Sequence, residues 1–222
     1  MKLLIVIPAL NEEESIQSTI ERCLAARQVI VSKSSVDDVE ITVVSDGSTD
    51  RTVERAMAYQ GRIRVIVFPQ NRGYGAAIME AWSKSDAELL SFLDADGTCD
   101  PRFLAEMCRN LLSEDVDVVL GCRLNSTSKM PALRRCGNLV FAWLLATLSN
   151  KTVRDTASGM RVVRRSALRN LYPLPTGLHF TPIDVWKAWL TGNGTTSYPA
   201  SRRSRVACST AVVAPPMTAG CY

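Results

Sequence analysis

The feature that constrains this chain most is a short apolar run, Leu89-Leu90-Ser91-Phe92-Leu93, that stops abruptly at Asp94-Ala95-Asp96-Gly97. A run this short and this uniformly apolar reads as a strand buried on both faces, not as an amphipathic helix. Asp100-Pro101 follows as an N-cap and a proline at the first helical position, where the missing N–H costs nothing. Asp94 and Asp96 therefore fall at the carboxyl edge of a strand, where open α/β sheets bind their ligands. A turning backbone can aim both carboxylates at one hard cation. Mg²⁺ commonly takes one or two carboxylates and completes its shell from water and substrate phosphates. The alternative is an ordinary surface turn, since turns are rich in Asp and Gly. An EF-hand calcium loop is excluded, because the twelfth position counted from Asp94 is Ala105, where a bidentate Glu is required.

The same rhythm of apolar run and polar exit recurs along the chain. Leu3 to Ile7 reads as a strand stopped by Pro8. Asn11 then caps a helix, with Glu14 at capping-box spacing. Glu40 to Ser45 is a second strand, with Asp46-Gly47-Ser48-Thr49-Asp50 as its exit loop before a helix to about Tyr59. Arg62 to Phe68 is a third. Asn71-Arg72-Gly73-Tyr74-Gly75 is a glycine-punctuated turn into a helix ending near Lys84. A helix from Pro101 to about Leu112 leads to a strand from Val116 to Leu120, which ends in Gly121-Cys122-Arg123. Strands alternating with helices predict an α/β fold with a mostly parallel sheet and helices on both faces. Three strand exits, Pro8 to Glu12, Asp46 to Asp50 and Asp94 to Asp96, then share one edge and form a nucleotide-sized site. Beyond Arg123 the rhythm changes to a polar loop, a helix over Pro131 to Asn150, a loop from Asp155 running into a strand by Arg165, and a helix around Ile183 to Leu190.

Charge and composition narrow the partners. The net charge of +4 hides an asymmetry: residues 1–100 carry 10 Lys/Arg against 16 Asp/Glu, and residues 101–222 carry 16 against 6. An acidic, metal-compatible half joined to a basic half suits an anionic partner, either phosphates or a membrane surface. Nucleic acid is not expected, since no aromatic-interleaved basic motif or finger spacing occurs. The seven cysteines form no C-x-x-C pair and have a single histidine, His179, to join them. That pattern predicts reduced thiols in the cytosol and no structural zinc. Pro8 and the three glutamates after Leu10 do not fit a signal peptide. The longest apolar run, Leu139 to Leu148, is well short of the ~20 residues that span a bilayer. A cytoplasmic protein, peripheral at a membrane surface, is expected.

The ordered motifs resemble glycosyltransferase family 2, of the GT-A fold, and within it the polyprenyl-phosphate sugar transferases similar to dolichol-phosphate mannose synthase. The residues that carry the resemblance are Ile7 to Glu12, Val44 to Asp50, Asn71 to Gly75, Asp94 to Gly97, Gly121-Cys122-Arg123 and Ser158-Gly159-Met160-Arg161, in family order. The resemblance implies an inverting transfer of a sugar from a GDP- or UDP-sugar to a polyprenyl phosphate. Pro8, Ala9, Asn11, Glu12 and Asp46 would hold the base and ribose. Asp94 and Asp96 would hold Mg²⁺ or Mn²⁺ on the diphosphate. Arg123 and Arg135, or its neighbour Arg134, would face the acceptor phosphate, since a guanidinium fork matches phosphate oxygens. Asp155 is the base candidate if the acceptor is a glycan hydroxyl. A separate membrane-anchoring subunit is a further implied partner.

The resemblance runs out near Gly192. The family continues with an Arg-x-Gly-x-Ser-Lys segment, whereas this chain reads Gly194-Thr195-Thr196-Ser197-Tyr198-Pro199 and Ser201-Arg202-Arg203-Ser204-Arg205. The expected organisation is a donor part to about residue 123, an acceptor part over 124–192, and an atypical tail over 193–222, disordered or shifted in frame. A nucleotide-binding remnant without turnover is the alternative to an active enzyme.

Overall fold

The computed structural model describes residues 1–113, 116–121, 160–171, 173–177 and 206–209. Strand β1 (Lys2–Ala9) is buried from Leu3 onward, and its alternate residues enter two different cores. Leu3, Ile5 and Ile7 face α1 (Ile16–Lys33) and α4 (Leu104–Ser113). Leu4 and Val6 face α3 (Tyr74–Ser83) through Ala77, Ile78, Ala81 and Trp82. A strand covered on both faces has no polar side to show, so its sequence is continuous and apolar. The remaining elements of this half are β2 (Asp38–Asp46), the short helix α2 (Thr52–Met57), β3 (Arg64–Phe68) and β4 (Leu89–Leu93).

The seven strands lie in the order β3-β2-β1-β4-β6-β5-β7, with β5 at Val118–Gly121, β6 at Met160–Arg164 and β7 at Val206–Ser209. β1 pairs in parallel with β2 on one side and β4 on the other. The chain thus moves outward from β1 to β3, then returns to start the other half of the sheet with β4. The gap between β1 and β4 is therefore a topological switch point, the usual ligand crevice of open α/β sheets.

The structure settles one strand direction that the sequence left open and departs from the sequence expectation at three places. β6 runs antiparallel between β4 and β5, with Phe92 opposite Arg161 and Leu120 also opposite Arg161. The apolar pair Val162-Val163 looks the same in either direction, so the sequence could not show it. Asn11 does not cap α1, which begins five residues later at Ile16. Asn11 instead adopts a left-handed φ of 54°, a conformation asparagine tolerates through local side-chain hydrogen bonding. Pro101–Phe103 is a 3₁₀ turn before α4, although Asp100 does cap it by accepting from the Arg102 N–H at 3.0 Å. Finally, Val206–Ser209, expected within an unstructured tail, pairs in parallel with β5. An open strand edge recruits a partner through backbone hydrogen bonds and asks little of its side-chain pattern. The helices expected over Pro131 to Asn150 and Ile183 to Leu190 lie outside the described residues, as does His179.

The start of α3 is a tight joint. Gly73 takes a φ of +101°, and a Cβ there would lie 2.5 Å from the Thr176 carbonyl oxygen. That oxygen also accepts from the Ala76 N–H at 3.1 Å. Gly73→Ala meets both a forbidden backbone conformation and a backbone obstacle. It is expected to cost about 1–3 kcal/mol for the dihedral alone, read as a lower urea midpoint with an unchanged slope.

Candidate active site

The carboxyl edge is built by zipping the exit loops of β1 and β2 together. The Asn11 side-chain oxygen accepts from the Thr49 N–H at 2.8 Å, and the Asn11 N–H donates to Ser48 Oγ at 3.2 Å. The Glu12 N–H donates to Thr52 Oγ1 at 2.8 Å, and the Glu13 N–H to Asp50 Oδ2 at 3.0 Å. The Arg51 N–H returns the favour to Glu13 Oε2 at 3.0 Å. Burial opposes ionisation of Asp50, but hydrogen bonds from Thr52 and Glu13 outweigh it and hold its carboxyl below the usual range. Glu12 keeps its own carboxylate close to its helix, where Oε2 accepts from Ser15 Oγ at 2.7 Å.

Asp46, the last residue of β2, is only 4% exposed. Its two oxygens accept from the N–H groups of Arg72 and Gly73 at 2.7 and 2.9 Å. A carboxylate that receives two backbone donors is well compensated for burial. It fixes the glycine turn that precedes α3. Pro8 and Ala9 are buried beside it, in register with Val44 and Ser45 of β2.

Asp94 and Asp96 leave the end of β4 on a loop held at nearly every residue. Asp94 is half-buried, and its Oδ1 accepts from the Tyr74 hydroxyl at 2.6 Å. Burial first, and the Asp94 charge second, push the Tyr74 phenol far up, so it stays protonated as a donor. Thr19 Oγ1 donates to the Ala95 carbonyl at 2.9 Å in a buried bond. The Arg22 guanidinium donates to the carbonyls of Gly97 and Cys99 at 2.5 and 2.9 Å. Exposed Asp96 accepts at Oδ1 from the Thr98 N–H and hydroxyl, at 2.9 and 2.7 Å. The thiols of Cys23 and Cys108, pushed up to about 12 by burial, are inert packing groups behind this loop.

A cleft of about 280 Å³ opens here, lined by Asn11, Glu12, Glu13, Glu14, Ser15 and Asp96. It joins the β1 exit to the β4 exit across the switch point. Among the described residues, no three His, Cys, Asp or Glu side chains come together as a self-sufficient metal cluster. Two hard carboxylates, with no such cluster around them among the described residues, fit a cation that draws more of its shell from phosphate and water. The donor chemistry therefore suits Mg²⁺ or Mn²⁺ better than a softer transition metal.

The edge thus brings together Pro8, Ala9, Asn11, Glu12, Asp46, Asp94 and Asp96. Arg123, Arg134, Arg135 and Asp155 lie outside the described residues. Sequence reasoning missed Thr19, Arg22 and Tyr74. Thr19 and Arg22 are three apart on α1, a spacing that puts both on one helix face, but nothing local marks that face as the one behind the Asp94 loop.

A mostly parallel sheet with one antiparallel strand, and an acidic crevice at its switch point, has the architecture of the GT-A fold. The chain belongs to glycosyl transferase family 2, whose profile matches residues 4–172. It is 34% identical over 193 residues to the low-salt glycan biosynthesis hexosyltransferase Agl6 of Haloferax volcanii, covering 84% of this chain and 44% of that protein. It is 33% identical over 171 residues to a dolichyl-phosphate hexose transferase of the same organism, covering 76% of this chain and 69% of that protein. The chain thus spans less than half the length of the first relative. A solved glucosyl-3-phosphoglycerate synthase from Mycobacterium tuberculosis superposes with a TM-score of 0.69 at 25% identity, covering 96% of this chain and 73% of that one. The same enzyme with Mn²⁺, UDP and glucosyl-3-phosphoglycerate superposes at 0.61 and 26% identity, over 82% of this chain and 62% of that one.

The Thr19 bond is the deepest tie to the loop and gives a clean test. Thr19→Val keeps the shape and strands the buried Ala95 carbonyl. A loss of about 1–3 kcal/mol is expected in urea denaturation.

Proposed function

We propose that this chain is an inverting glycosyltransferase that moves a sugar from a nucleoside-diphosphate sugar to a polyprenyl phosphate at a membrane surface. The observation that supports it best is the meeting of the Asn11–Ser15 turn with Asp96 across the switch point. The dolichyl-phosphate hexose transferase relative supports the acceptor class.

In this reading Pro8, Ala9, Asn11 and Glu12 shape the base and ribose end. Asp46 serves that end through the glycine turn it holds. Asp94 and Asp96 hold the divalent cation of the donor diphosphate. Bound there, Mg²⁺ or Mn²⁺ supplies Lewis-acid stabilisation of the departing diphosphate. The acceptor attacks the anomeric carbon from the face opposite the leaving group, so the configuration inverts. A phosphate monoester, with a second pKa of about 6, is already an anionic nucleophile at neutral pH. It needs no strong base, and the arginines proposed for its capture, Arg123 with Arg134 or Arg135, orient it by charge-assisted hydrogen bonds. Asp155 becomes the base only for a hydroxyl acceptor. A GDP- or UDP-sugar is the donor, the cytoplasmic face of a membrane is the working surface, and a separate anchoring subunit is a further partner.

The test is a panel of radiolabelled nucleotide sugars incubated with polyprenyl phosphate and extracted into organic solvent. Label in the organic phase is expected for one donor, with Mg²⁺ or Mn²⁺ present. Asp96→Asn, which keeps shape and removes charge, is expected to lower that transfer by about 10²-fold or more. Label found only in a water-soluble glycan would overturn the lipid acceptor, and transfer indifferent to chelation of the metal would overturn the metal assignment.

A further inference from the structure

Two parts of the donor site that lie far apart in sequence are joined by one side chain. At the base end, Asp46 takes the N–H groups of Arg72 and Gly73 and so fixes where α3 begins. The first residue of that helix is Tyr74. Its ring meets Phe92 of β4 edge-on, with centroids 6.1 Å apart and planes at 87°. On the neighbouring strand, the fully buried Arg161 places its guanidinium 5.7 Å from the same Phe92 ring. The Tyr74 hydroxyl ends at Asp94 Oδ1, 2.6 Å away. The tyrosine is therefore fixed at its backbone, its ring and its oxygen.

We propose that Tyr74 is the positioning residue of the metal-side carboxylate. This inference rests on the donor reading above. Asp94 has two equivalent oxygens, and a free carboxylate turns about its terminal bond. A donor fixed on Oδ1 removes that freedom and commits the other oxygen to one direction at the strand edge. Outer partners that hydrogen-bond a ligating carboxylate set its orientation, and their loss commonly costs about 10–100-fold in metal affinity. Packing alone does not ask for the hydroxyl, because a phenylalanine would keep the contact with Phe92. Asp46 acts one step further back, by holding the turn from which Tyr74 projects.

Tyr74→Phe keeps the ring and removes the bond. Calorimetry with UDP and with GDP, each with and without Mn²⁺, separates the metal-dependent part of binding from the rest. Tyr74→Phe is expected to weaken metal-dependent binding about tenfold and to leave metal-free binding and the thermal midpoint close to wild type. In an Asp94→Asn background the same change is expected to add nothing, since the group it positions is already altered. Equal weakening with and without Mn²⁺, unchanged metal-dependent binding, or full additivity with Asp94→Asn would each overturn the inference. Metal-dependent binding by wild type that Tyr74→Phe leaves intact overturns this inference alone. A wild type that binds neither diphosphate overturns the donor reading, and this inference with it.

Discussion

Burial on both faces of the central strands is the constraint on which the rest of the molecule depends. Leu3, Leu4, Ile5, Val6 and Ile7 are each fully buried, and β4 is equally enclosed. A polar group placed along such a strand must bring its own partner or bear the cost of desolvation. Ser91 and Arg161 show two ways of meeting that demand. Ser91 donates to the Leu4 carbonyl at 3.0 Å across the β1–β4 pair. Arg161 lies against the negative face of an aromatic ring, with the Tyr74 phenol within electrostatic reach. Chemistry is thereby driven off the strands to their ends, and the parallel pairing of β2, β1 and β4 gathers those ends along one edge.

An edge made of loops would be soft if the loops were left to themselves. Here rigid elements hold them. Helix α1 reaches the loop after β4 through Thr19 and Arg22, at the carbonyls of Ala95, Gly97 and Cys99. Helix α3 reaches it through Tyr74, at the Asp94 side chain. Each bond spans at least twenty residues of sequence, so it orders the loop only once the sheet has formed. The entropy of fixing the loop is then part of folding and is not repeated when a ligand arrives, which is the physical content of a preorganised site.

The reach of sequence reasoning follows from the same division between local and distant partners. Asp94 and Asp96 were legible because an apolar run and its abrupt end are local signals, and Asp100-Pro101 was legible because a cap and its helix are neighbours. Asn11 was misread for the complementary reason. Its spacing to Glu14 imitates a capping box, while its actual partner, Thr49, lies on the exit loop of β2. Tyr74 was legible only as part of a glycine turn, because the partner that gives its hydroxyl a purpose belongs to another strand. Asp46 is legible as a carboxylate at a strand end, and the structure adds the Arg72 and Gly73 N–H groups that its oxygens accept from. Residue type could announce a carboxylate at a strand end but not which donors would reach it first.

Net charge is similarly a poor guide until partners are known. The excess of cations after residue 100 invites a surface for anions, yet Arg161 is fully buried and Arg164 and Arg165 point inward. Arg164 donates to the carbonyls of Leu111 and Val116 at 3.1 and 2.9 Å, and Arg165 to those of Trp82 and Ala87 at 3.1 and 2.5 Å. Leu111 and Trp82 lie in the last turns of α4 and α3, where carbonyls lack helical partners and the dipole favours a cation. Their carrier, β6 with the residue after it, owes that position to its antiparallel direction. That direction has a larger consequence. β4 and β5 are both antiparallel to β6, so the two of them end at the same edge, and β6 begins there, with Met160 opposite Leu93. Had β6 been parallel, the chain between Gly121 and Met160 would have had to return to the far edge. Instead Gly121 and Met160, the described residues on either side of that stretch, both lie at the edge that carries Asp94 and Asp96. One reversed strand is enough to bring the ends of β4 and β5 and the start of β6 to one edge of the sheet.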